Sequence, residues 1–189
     1  MPFLYSAARG MVDLNNFLPS GSGWTLNIAT GINDAGQITG YGQNAQGDTH
    51  AFLLSPAKTR FSTLNAEIEM RGKRKARFAV EGRFTLGTNS NGINPVAEPV
   101  TLQLGSFEVT IPPSSFSKTS EGSYIYVGKI DGVALEMNVK PVTADIFEFE
   151  ARGIGATGLP AKNPVVFTLT VGDDTGTETV KSDLDGEDH

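Results

Sequence analysis

Gly31-Ile-Asn-Asp-Ala-Gly-Gln-Ile-Thr-Gly-Tyr-Gly42 reads as strand, tight turn and strand within twelve residues. Asn33 and Asp34 can bond the backbone that follows them, and Gly36 can take the left-handed conformation, so Ile28–Ile32 and Gln37–Tyr41 are expected to flank a hairpin turn. Outward from it, Phe3-Leu-Tyr-Ser6 returns as Phe52-Leu-Leu-Ser55, 49 residues later. That spacing suits one β-propeller blade or array unit, which buries its apolar face against a neighbour rather than within itself. Phe3–Ser6 and Met11–Leu14 flank the short loop Ala7-Ala-Arg-Gly10, and Ala51–Leu54 follows the Gly47-Asp48 turn. Residues 1–57 are therefore expected to form one four-stranded, blade-like unit.

The set Phe-Leu-Tyr-Ser, Met11-Val-Asp-Leu-Asn15, Gly-Ile-Asn-Asp-Ala-Gly-Gln-Ile-Thr-Gly-Tyr and His50-Ala-Phe-Leu-Leu-Ser resembles the HAF repeat of bacterial extracellular proteins, over residues 1–57 only. Met1 stands where the repeat has its His. The resemblance implies a propeller-like array, an extracellular or cell-surface location, and a scaffold or binding role without catalytic residues. A single such unit is expected to complete its core by homo-oligomerisation through residues 1–57 or with further repeats. Residues 1–18 lack a basic n-region, and their apolar stretch ends at Arg9 and Asp13, so no signal peptide is expected in this chain.

Beyond a joint at Pro56–Ser62, residues 62–182 carry nine short alternating stretches: Ala66–Met70, Ala76–Leu86, Val100–Leu104, Phe107–Ile111, Ser123–Ile130, Val133–Val139, Ile146–Ala151, Val165–Val171 and Thr177–Val180. Nine strands imply two packed antiparallel sheets. Asp131-Gly132 is a strong hairpin signal, and Asp174-Thr-Gly176 is a second expected turn. Phe78-Ala-Val-Glu-Gly-Arg83 and Val100-Thr-Leu-Gln-Leu-Gly105 recur as Phe147-Glu-Phe-Glu-Ala-Arg152 and Phe167-Thr-Leu-Thr-Val-Gly172, which predicts two similar halves. The stretch resembles Ig-like modules of secreted bacterial proteins, without the cysteines or tryptophan of antibody domains. The fold expected is all-β, a blade-like unit plus an Ig-like antiparallel β-sandwich, followed by a solvated, disordered acidic tail at 183–189.

The 189 residues include 22 Gly and 10 Pro, with no Cys and a net charge of −6. The acidic balance disfavours nucleic acid, the missing cysteines exclude disulfides and thiolate chemistry, and no apolar run is long enough for a membrane-spanning helix. His50 and His189 are the only histidines. Without a Gly-x-Ser-x-Gly elbow or partner imidazoles, no catalytic triad, metal site or cofactor is expected.

The sharpest charged feature is Arg71-Gly-Lys-Arg-Lys-Ala-Arg77. As a strand it would project Arg71, Lys73, Lys75 and Arg77 from one face, with Arg74 beside them, a ladder suited to an anionic polysaccharide or cell-surface polymer. It also reads, and more simply, as an exposed hairpin or edge strand kept soluble by repulsion, or as a dock for the acidic tail. Trp24 is a candidate binding residue as a sugar-stacking ring, or else a core residue; Tyr41, Tyr124 and Tyr126 join it as stacking candidates. Glu148 with Glu150, and Glu67 with Glu69, share strand faces and could pair as glycosidase carboxylates, or simply face water while Phe147 and Phe149 point inward. Asn33, Asp34 and Gln37, and likewise Asp173-Asp174 and the tail, could supply oxygen ligands to calcium; the turn and solvated readings compete. The expected function is a non-enzymatic exported surface or matrix protein, with a carbohydrate-binding module and a glycan hydrolase as alternatives.

Overall fold

A computed structural model describes the chain except residues 7–9, 34–35, 73–75 and 186–189 and the side chains of Ser6, Leu184 and Asp185. The fold is all-β, with no α-helix among the described residues. The chain divides into two compact units, Met1–Ala57 and Lys58–His189.

In the first unit, β1 (Phe3–Ser6) pairs antiparallel with β2 (Gly10–Asp13), and β3 (Thr25–Ile32), β4 (Ile38–Gln43) and β5 (Thr49–Leu54) form a separate antiparallel sheet in that order. A two-stranded and a three-stranded sheet thus replace the single four-stranded sheet expected. The cause lies immediately after β2, where Asp13 caps a short 3-10 helix, Leu14–Phe17, by accepting from the Asn15 backbone N–H at 3.0 Å. The helix turns the chain aside and drives Leu14 into the centre. Asn15 fastens it there, its Oδ1 accepting from Leu26 N at 2.7 Å and its Nδ2 donating to Leu26 O at 3.1 Å. Leu14, Leu26 and Ile38 are buried, flanked by Leu4, Leu18, Trp24, Phe52 and Leu54. Gly40 is required here, because a Cβ on it would overlap the Ile28 carbonyl oxygen and come within 2.7 Å of the Phe52 ring. The 33–37 turn forms as the Asx reading expected: Asn33 Oδ1 accepts from Gln37 N at 2.9 Å, and Asn33 Nδ2 donates to Gln37 Oε1 at 2.9 Å. Asp34 lies outside the described residues.

The second unit contains β6 (Thr59–Arg60), β7 (Thr63–Arg71), β8 (Ala76–Thr85), β9 (Val100–Leu104), β10 (Phe107–Ile111), β11 (Ser117–Lys118), β12 (Tyr124–Ile130), β13 (Val133–Pro141), β14 (Ile146–Ala156), β15 (Val165–Val171), β16 (Asp174–Val180) and β17 (Asp183–Asp185). One sheet runs β10-β9-β15-β16-β6 and the other β11-β12-β13-β14-β8-β7-β17. Their facing sides share one core, with 28 buried hydrophobic residues among those described. Aromatic rings bind it internally: Phe84 stacks on Phe61 at 4.4 Å and on Phe147 at 5.3 Å, and Phe149 stacks on Phe167 at 5.7 Å between ring centroids.

The recurring stretches pair with each other. β8 lies antiparallel to β14 with Glu81 opposite Glu150, and β9 lies antiparallel to β15 with Leu102 opposite Leu169. The sheet orders β7-β8-β14-β13 and β10-β9-β15-β16 are therefore symmetric about those two pairs. Hairpins supply the remaining neighbours. At Asp131-Gly132 both residues take positive φ, 49° and 89°, as a two-residue turn matched to strand twist demands.

Three expectations need correction. The second turn lies at Gly172-Asp173, with Val171 opposite Asp174, so Asp174–Gly176 are strand. Thr59–Arg60, expected within the joint, pairs parallel with Asp174–Thr175 at the edge of the five-stranded sheet. Asp183–Asp185, expected to be disordered, pairs parallel with Glu69–Arg71. Both additions cover edges whose backbone N–H and C=O groups would otherwise go unpaired.

Candidate functional site

The outer face of the seven-stranded sheet carries a dense set of charged side chains. Alternation along β7, β8, β13 and β14 puts Ile68, Val80, Phe84, Met137 and Phe149 inside, which obliges the intervening charged residues to face out. The register then sorts them into rows across the strands. One row contains Asn65, Arg83, Glu148 and Lys140; the next Glu67, Glu81, Glu150 and Asn138; the next Glu69, Ala79, Arg152 and Glu136; the last Arg71, Arg77, Ile154, Ala134 and Lys129. Charge is therefore banded, with acid across the middle and base at the end where β7 meets β8.

A groove of about 590 Å³ lies over the acidic band, lined by Asn65, Glu67, Glu81, Asn138, Glu148 and Glu150 among others. Arg83 donates to Glu148 at 2.5 Å, and Arg152 meets Glu150 at 2.6 Å. The Arg83 hydrogen bond, before any other influence, holds the Glu148 carboxyl below the usual glutamate range. Glu67 and Glu81 face each other across β7 and β8 with no ion pair or hydrogen bond to their carboxylates among the described residues. Like charges directly opposite are unfavourable in a sheet. Asn138 Oδ1 and Glu178 Oε2, both in the lining residues, are buried acceptors without a partner.

At the basic end, Arg71 and Arg77 are opposite residues on adjacent strands, and Arg71 lies 3.6 Å from Glu69. Lys129 stands in the same row four strands away, about 19 Å at ordinary strand spacing. Lys73, Arg74 and Lys75 lie outside the described residues, so Arg71 and Arg77 represent the strip here.

The stacking candidates divide. Tyr124 and Tyr126 are 8% exposed and packed into the core, so neither presents a ring to a sugar. Trp24 packs beside the small core of the first unit, edge-on to His50 at 6.4 Å, while Tyr41 is 52% exposed. Glu148 and Glu150 face outward as the amphipathic reading expected, each held by an arginine; Glu67 and Glu69 also face outward. Among the described residues, no three His, Asp or Glu side chains are grouped to hold a metal ion.

Asp173-Asp174, named in the sequence as oxygen ligands or solvated residues, hold a feature that the pattern did not reveal, the burial of Asp174. Asp174 faces the interior because it is paired with Val171, and it is 0% exposed. Ser90 donates to its Oδ2 at 2.9 Å, while Oδ1 has no partner. Burial is the main cause raising the Asp174 carboxyl above its ordinary range, with Asp173 adding to it. Glu98 is likewise raised by burial first, against a hydrogen bond from Asn94 N, and further by Asp173 and Asp174. The signal was present in Gly172-Asp173, whose recognition as the turn would have aimed Asp174 inward. Glu81, Arg83, Asn138, Lys140 and Lys129 were missed because their neighbours are set by register; the recurrence of Glu81 and Arg83 as Glu150 and Arg152 was the one hint of it.

Compared with protein-family models, curated proteins and solved structures, the chain matches none of them.

Proposed function

We propose that the chain is a non-enzymatic surface or matrix protein, exported as the HAF-like character of residues 1–57 implies, whose second unit binds anionic polymers. The observation that carries the reading is the basic row of Arg71, Arg77 and Lys129 on one outward face. The carboxylate or sulfate groups of a polymer can accept bidentate hydrogen bonds from the guanidinium groups of this row. The Ig-like reading of the sandwich supports the same role, as a spacer or adhesive module. The first unit is the assembly element, since its apolar residues Ile28, Tyr41 and Leu53 lie on an exposed face. Titration with dextran sulfate at low and at physiological salt tests the anion site. Binding should weaken with salt, and Arg77→Glu should weaken it on the order of tenfold at low salt. Affinity indifferent to both would remove the basic row from the mechanism.

The acidic groove favours a second reading as a carbohydrate-binding module. The outward carboxylates of Glu67 and Glu81, opposite each other in its lining, suit a ligand rich in hydroxyl donors. Retention on a neutral glycan array that is lost in Glu81→Gln would support it; retention unchanged by that substitution would remove the groove. Hydrolysis by Glu148 and Glu150 is disfavoured by the arginine held on each.

A further inference from the structure

We propose that the acidic C-terminal segment is an intramolecular competitor for the anion-binding end of the outer face, so that the protein carries its own displaceable ligand. The inference rests on the anion-binding reading above. After β16 ends at Val180 in the five-stranded sheet, the chain crosses to the seven-stranded sheet through Lys181 and Ser182. Ser182 is 6% exposed and pinned by Asn163: Asn163 Oδ1 accepts from Ser182 N at 2.8 Å and from Ser182 Oγ at 2.9 Å, and Asn163 Nδ2 donates to Ser182 O at 2.9 Å. This anchor fixes where the tail starts. The backbone then runs parallel to β7, placing position 183 beside Glu69, 184 beside Met70 and 185 beside Arg71.

An acidic segment is thus delivered to the strand that leads into the basic segment 71–77. Residues 183–188 contain Asp183, Asp185, Glu187 and Asp188, and residues 71–77 contain five cations. The pairing is also built to yield. It is only three residues long and parallel, a geometry slightly weaker per residue than antiparallel. It sets Asp183 against Glu69, like against like. Short edge pairings of this kind open at far lower cost than the core strands. A polymer with many closely spaced anions displaces the tail and gains the same cations.

The test compares dextran sulfate binding by the full chain, by the charge-neutral variant Asp183→Asn/Asp185→Asn/Glu187→Gln/Asp188→Asn, and by a chain ending at Ser182. Both altered proteins should bind on the order of tenfold more tightly at low salt, with the gap closing as salt rises. In the full chain, saturating polymer should speed amide hydrogen exchange in residues 183–185 and at the outer edge of β7. Equal affinity among three binding proteins overturns the competitor role and leaves the anion site standing. No binding by any of them overturns the anion-binding reading, and the competitor with it. If the truncated chain loses its circular dichroism signature, the charge-neutral variant, which retains the backbone pairing, decides.

Discussion

The two units handle their apolar side chains in opposite ways. Among the described residues, Lys58–His189 buries 28 hydrophobic residues between two sheets, whereas Met1–Ala57 buries Leu14, Leu26 and Ile38. Yet the shorter unit holds nine of the fourteen large hydrophobics exposed among the described residues. The contrast reaches single positions. Phe52 and Leu54 of β5 pack against the small core, while Phe3 and Tyr5, which repeat them in β1, are 53% and 69% exposed. In β1 it is Leu4 that packs, the other face of the strand, because the two copies differ in phase by one residue. The same motif is inside in one sheet and outside in the other because β5 has the Gly40 seat of β4 for its ring and β1 pairs only with β2. A unit with so little enclosed surface sits near the lower limit of self-sufficiency, whereas the sandwich closes its own core.

The largest expected effect separates the units outright. Phe167→Ala, at 0% exposure against Phe149, should cost about 3–5 kcal/mol in urea unfolding of the sandwich. Leu14→Ala should cost about 2–5 kcal/mol and melt only residues 1–57, seen as loss of their amide protection while the sandwich transition stays in place. A single shared transition in both variants would break the contrast.

Next comes the Asn163 anchor. Asn163→Ala leaves the buried Ser182 backbone and hydroxyl without their partner and should destabilise the sandwich by about 1–3 kcal/mol, with the tail amides exchanging fastest. Asp174→Asn should act in the stabilising direction. The Asp174 and Glu98 carboxyls are both raised in the folded state, so between the ordinary range and those raised values the folded chain holds more protons than the unfolded one. Stability therefore falls as pH rises through that window and remains lower at neutral pH. Removing the Asp174 charge while keeping an oxygen for Ser90 should raise neutral-pH stability by about 1 kcal/mol and flatten the acid-side slope, measured by urea unfolding across pH. The smallest effect belongs to Arg83→Ala. Its pair with Glu148 is 54% and 44% exposed, so the loss should stay under about 1 kcal/mol. A larger loss would show that the banded face contributes to holding the sandwich together.

The long strands of the sandwich were legible because each carries its own alternation, and the Asp131-Gly132 turn because its chemistry is local. What stayed hidden depends on distant partners. Thr59–Arg60 and Asp183–Asp185 are too short for any period and become strands only through parallel edges supplied by β16 and β7. In β12, Tyr124 and Tyr126 alternate with Ile125 and Val127, apolar on both faces, so pattern alone could not say which pair goes in; the structure encloses the rings. At the candidate site, Arg71, Arg77, Glu148 and Glu150 were found as local charges. The banding that brings Glu67 against Glu81, or Lys129 into the row of Arg77, is a property of register across strands.

The edge pairing of Thr59–Arg60 with Asp174–Thr175 joins segments more than a hundred positions apart, and Lys58 Nζ donates to Gly172 O at 3.0 Å beside it. During synthesis from the N-terminus, the first strand of the sandwich therefore waits for nearly the last of its strands before its border is closed. Until residues 174–185 leave the ribosome, two sheet borders stand open while the interior strands are already available to pair. Such a nascent chain is most vulnerable to association with its neighbours during that interval, which those dozen residues end by supplying the missing partners of β6 and β7.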